Sequence, residues 1–96
     1  MNENIDYTNH AVHIQWVDSY RVTSGWQDIS EYTHNALMIH SFGVVIYQDA
    51  DAISLAHNYA DETDKTIKQA NGVMTIPLAC IKRIQVIPTF SSVSLE

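Results

Sequence analysis

Leu37-Met-Ile-His-Ser-Phe-Gly-Val-Val-Ile-Tyr47 is the longest apolar stretch of the chain, and most of it is β-branched or aromatic. Such side chains suit a pleated strand. The run neither alternates strictly nor repeats with a helical period. It therefore reads as a strand that is buried on both faces or bends midway. Gly43 is the natural bend, because glycine inside a strand marks a bulge or a tight curve.

Upstream, Val12, Ile14 and Trp16 alternate with His13 and Gln15, the two-residue period of a half-buried strand. Thr23-Ser24-Gly25 breaks the pattern. Ser24 to Gln27 and Asp28 to Glu31 then read as capping boxes, which predicts a short helix or ordered loop of at most two turns ending near Asn35. Downstream, Gln48 to Asp51 is a turn, and Ile53, Leu55, His57 and Tyr59 alternate with smaller residues as a third strand. Ala60 to Lys68, with Asp61, Glu62 and Asp64, reads as a solvated loop. Asn71-Gly72 suits a type I′ hairpin with arms 66–70 and 73–76, since both residues tolerate positive φ. Pro77 ends that arm, the turn Ile76-Pro-Leu-Ala-Cys80 looks like the 3₁₀ step of SH3-like and Sm-like barrels, and a last strand to Ile87 turns Ile84 and Val86 inward.

Five short strands bury their apolar faces best by curling. The expectation is an all-β domain: a small five-stranded barrel of SH3-like or Sm-like type with one short helix. Residues 11–88 form it, between a flexible N-terminus (1–10) and a flexible tail (89–96). With 96 residues there is room for one domain, and 46% hydrophobic residues with only three Gly exclude disordered and collagen-like chains. The formal net charge of −6 disfavours duplex nucleic acid as a partner. Cys80 is the only cysteine, so no intrachain disulfide forms. The first residues lack the basic-then-apolar pattern of a signal peptide, and no apolar run approaches a membrane span. A cytoplasmic protein without membrane contact is expected.

Trp16-Val-Asp18, Gly25-Trp26, Gly43-Val-Val-Ile46, Ile53-Ser-Leu-Ala56 and Ile76-Pro77 with Ile81-Lys-Arg-Ile84 resemble a group of small phage and prophage proteins. The resemblance spans about residues 12 to 87 and rests on spacing more than on rare residues. It implies a small β-barrel protein in the bacterial host cell, with no agreed activity and no catalytic residue to carry over. The segment from Tyr59 to Gly72 is longer and more acidic than in the shorter members, so a site there would be private to this chain.

Catalytic and metal chemistry find little support in the spacing. His10, His13, His34, His40 and His57 show no paired-ligand pattern, so partly exposed strand histidines are expected rather than a metal. Cys80, between Ala79 and Ile81, reads as a small buried thiol. No phosphate loop or nucleophile elbow occurs, so neither an enzyme nor a cofactor is expected.

The candidate binding residues are Tyr20, Arg21, Trp26 and Tyr32, joined by the cations Lys82 and Arg83 of the last strand. Trp, Tyr and Arg combine rigid area with a polar tip and are enriched at binding hot spots. Trp26 has two readings. As a plug it seals one end of the barrel, the first use a small core has for a large residue; as a contact it faces a partner. For Lys82 and Arg83 the plainer reading is protection of an edge strand. The expected function is binding and inhibition of a host protein by an acidic barrel docking on a basic surface. An oligomer that sequesters a nucleotide immune signal, and a structural virion component, are the alternatives. A homo-oligomer, most simply a dimer, follows from unpaired strand edges.

Overall fold

The computed structural model describes residues 5–19, 25–32, 34–88 and 93–95. It is mainly β, with five strands: β1 (Ala11–Asp18), β2 (Leu37–Gln48), β3 (Ala52–Ala60), β4 (Gln69–Pro77) and β5 (Ile81–Val86). Two single 3₁₀ turns, η1 (Ile29–Glu31) and η2 (Leu78–Cys80), complete it. All pairings are antiparallel, in one sheet of order β4-β3-β2-β1-β5. No helix among the described residues is long and apolar enough to cross a membrane.

β2 serves both halves of this sheet. Residues 37–44 pair with β1, whereas Val44 to Gln48 pair with β3 across a register shift between Val45 and Tyr47. The irregularity of this strand falls at Ile46, between Val45 and Tyr47, and not at the expected Gly43, whose pairing with Val12 is regular; Gly43 marks a close approach instead. A Cβ there would lie 2.8 Å from the carbonyl oxygen of Ala56, so β2 and β3 approach more closely than any larger residue allows.

The connection through η2 shows how strongly the sheet is coiled. Pro77 pairs with Ala52 at one edge, and four residues later Ile81 pairs with Trp16 on the opposite side of β2. In a flat sheet the two edge strands would stand about 19 Å apart before any offset along the strands. Three intervening residues span that only if the halves fold over one another, with a bend in the shared strand making the corner. The halves enclose Val12, Ile14, Val45, Ile53, Leu55, Ile76 and Ile81, and Trp16, Leu78 and Ile84 pack against them. Yet β4 and β5 remain terminal strands with no ladder between them, so the sheet curls without closing.

A turn holds this corner. Asp49 accepts the backbone N–H groups of Asp51 (2.8 Å) and Ala52 (2.9 Å), and the carbonyl of Asp51 accepts the N–H of Leu78 at 2.9 Å. The β2–β3 turn is thus pinned to η2. The two backbone bonds hold the Asp49 carboxyl below the usual carboxylate range. A depressed folded pKa contributes stability above the unfolded value, and that stability is lost as pH falls through the folded one. The melting temperature is therefore expected to fall below about pH 4. Asp49→Asn, which keeps an acceptor but does not titrate there, should shrink that fall in melts compared at pH 7 and pH 3. An equal acid loss in the variant would remove Asp49 from the account.

Several expectations change. Asn71-Gly72 does not turn a hairpin. Gly72 lies inside β4 beside His57 with a φ of +68°, the register being kept on either side of it, and β4 pairs instead with β3 from Ala60↔Gln69 to Ala52↔Pro77. Nine-residue β3 offers a longer ladder than two short arms, so tertiary pairing wins over a local turn. The expected short helix is one 3₁₀ turn. The domain also begins before residue 11: Tyr7 is buried in the core, its N–H donates to Gln48 Oε1, and Asn9 N–H donates to the Val45 carbonyl. Cys80 is only half-buried. Ile84 packs inward, whereas Val86, opposite Val12, lies exposed at the rim.

Candidate functional site

The long connection from β1 to β2 carries the aromatic candidates. Tyr20 and Arg21 lie outside the described residues. Asp28 caps η1: its carboxylate accepts the Ser30 N–H (3.0 Å) and hydroxyl (2.7 Å), which hold it below the usual carboxylate range. Here the capping box is only half formed, since Asp28 bonds Ser30 and the turn ends at Tyr32. One turn cannot bury a face of its own. Trp26 is 103% exposed and Ile29 90%, with Tyr32 at 45%. The plug reading of Trp26 therefore fails: the core is sealed by Tyr7, Trp16 and Leu78, and the indole of Trp26 faces solvent.

Lys82 and Arg83 are exposed on β5, a terminal strand. The register sets Arg83 opposite Gln15, three residues before the end of β1, where the aromatic connection begins.

A second locus escaped the sequence reading. Ile39, His40, Ser41, Phe42, Gly43, His57 and Met74 line an open cleft of about 690 Å³. At its base the Trp16 indole N–H donates to Ser41 Oγ (3.0 Å), and that hydroxyl donates to Met74 Sδ at 3.7 Å. Ser41 is the one buried polar residue among those described, and this chain satisfies it. Because Ser41 lies on β2 and Met74 on β4, the contact reaches across β3 and exists only because the sheet curls.

Beside the cleft, His13 stacks on Phe42 with centroids 4.6 Å apart, and His13 Nε2 lies 2.8 Å from His40 Nδ1. The register that sets His13 opposite Phe42 and Gln15 opposite His40 makes this group. In sequence the 27-residue separation hid it; only the β1–β2 register would have revealed it. One imidazole donates and the other accepts, which occupies both facing nitrogens, and two imidazoles supply half of a tetrahedral metal site. Among the described residues no three His, Cys, Asp or Glu side chains gather as metal ligands.

Searches of protein-family models, curated proteins and solved structures return no match to this chain. Function must therefore be argued from its own surface.

Proposed function

We propose that this chain is a non-enzymatic binding protein, built on an SH3-like or Sm-like small barrel, that inserts Trp26 into a pocket of a host protein and inhibits it. The strand order and the three-residue step through η2 favour that scaffold. The observation that carries the binding reading is the full exposure of Trp26 beside exposed Ile29 on a capped turn. An indole left in water gives up about 2 kcal/mol or more of burial, and aromatic anchors recover it inside a partner's pocket. With a net charge of −6, a basic partner surface is the complementary one. The cleft around Ser41 contains no Lys or Arg, which weighs against an anionic nucleotide there. The host, as opposed to any other source of partner, comes from the phage resemblance.

Trp26→Ala is the test. Immobilised wild type should retain a basic protein from host lysate at stoichiometric yield, and the variant should bind it at least ~30-fold more weakly, as for a hot-spot residue. Its melting temperature should match the wild type. Equal binding by the variant, or a melting temperature lower by several degrees, would overturn the proposal.

A further inference from the structure

The two terminal strands differ in how they are defended. β5 carries Lys82 and Arg83 within six residues, the usual protection against unwanted pairing. β4 runs from Gln69 to Pro77 without a single charged residue, and only Ile76 is buried. β2 and β3 also lack Asp, Glu, Lys and Arg, but they are interior strands, whereas β4 is an edge. Val73 and Met74 on it are 49% and 41% exposed. An extended, uncharged, partly apolar edge is a template for another strand.

The chain is also drawn out. Its radius of gyration is 18.0 Å, where a compact chain of this length gives about 12–13 Å. Beyond Ala56 the pairing of β3 to β2 stops, and the remaining β3–β4 ladder continues as a two-stranded ribbon with every residue from His57 to Ala60 exposed. Such a ribbon is marginal by itself. Met74 and Phe42 leave apolar surface at the rim of the cleft that the chain's own core does not cover.

We propose that β4 pairs antiparallel with β4 of a second copy about a two-fold axis at Met74, over Gly72 to Ile76, to give a dimer with a continuous sheet. Charge and closure decide among the three ways two copies could join their edges. Antiparallel β5 with β5 would bring Lys82 and Arg83 toward their own images, and like charges across strands repel. Joining β4 to β5 of the next copy leaves both outer edges open and builds chains or rings. Joining β4 to β4 sets no charge against another and leaves the guarded β5 edges outermost. The cleft then continues from one copy into the next past the two Met74 side chains. This pairing does not involve Trp26, so the dimer and the loop contact stand or fall separately.

Light scattering on the purified protein should give twice the 10.9 kDa chain mass. Val73→Lys sets two ammonium groups near the axis and should yield the monomer mass, whereas Lys82→Glu with Arg83→Glu should leave the dimer intact. Hydrogen exchange on the wild type provides a readout independent of variant folding: amides of Gly72 to Ile76 should gain protection with rising protein concentration, and those of β5 should not. A monomeric wild type, concentration-dependent protection on β5, or a Val73→Lys dimer would each overturn the proposal.

Discussion

Gly43→Val is expected to leave the protein unfolded or insoluble, and Gly43→Ala to lower its melting temperature by about 5–20 °C. A Cβ at residue 43 would sit 2.8 Å from the Ala56 carbonyl oxygen and 3.0 Å from Leu55 Cδ1. The second atom can swing aside, but the first belongs to the backbone of β3. Ala56 is held by Val44 on one side and Val73 on the other, so it yields only if a ladder opens. Overpacking of this kind costs about 1–3 kcal/mol for a single methyl, and 1 kcal/mol is worth roughly 4–8 °C in a domain of this size. Two further methyl groups on the same carbon cannot both avoid β3. Because β2 passes from its ladder with β1 to its ladder with β3 next to this residue, splaying it there also opens the core. Gly25→Ala is the control, since its Cβ would meet nothing within 4 Å. Thermal melts followed by circular dichroism distinguish the cases. An unchanged melting temperature for Gly43→Ala would mean that β2 and β3 are not in the contact described.

A special position at Gly43 is legible as a lone glycine in a β-branched run, but it marks the close approach to Ala56, and the bulge falls further on, between Val45 and Tyr47. The period-two runs of β1 and of Ile53 and Leu55 in β3 are legible because alternation records a buried face, but His57 and Tyr59 continue the pattern and are exposed. The turn Asn71-Gly72 misled because local φ preference is the same for a hairpin and for a positive φ inside an edge strand. Only the nine-residue partner β3 decides between them, and it lies in another part of the chain. The site shows the same division. Trp26 stands out as a large residue after a glycine, but whether it faces inward depends on what else fills the core. Tyr7 does part of that filling from a segment expected to be frayed. The His13–His40 pair and the Ser41 relay depend on register across an 18-residue connection, which no local pattern encodes. Lys82 and Arg83 fall on an exposed edge, and nothing among the described residues gathers them with Trp26 or Tyr32.

Ile14→Ala is expected to lower stability by about 2–5 kcal/mol, the usual range for deleting a fully buried aliphatic side chain. Ile14 is fully buried on the central part of β1, opposite Ser41 on β2 and Ile84 on β5. It therefore joins three strands, and neighbours held in ladders on both sides cannot collapse into the space it leaves. A chain of this size has about 5–14 kcal/mol in total, so one substitution removes a large share. Because the described residues form one small core cluster and the ribbon beyond Ala56 adds no buried residue, no second core among them compensates. Urea titration should show a midpoint shifted far to lower denaturant with the slope preserved, the mark of lost stability without a changed unfolded state. Ile67→Ala, exposed in the acidic loop, should shift it by less than about 0.5 kcal/mol. Trp16 neighbours Ile14 on β1, and its indole holds Ser41, so the cavity should also loosen the cleft and raise hydrogen exchange at residues 39–43. The loop at Trp26 lies outside that cluster. At temperatures where Ile14→Ala remains folded, its partner binding should equal the wild type. A variant that is fully folded yet fails to bind would place the contact on the cleft and not on the loop.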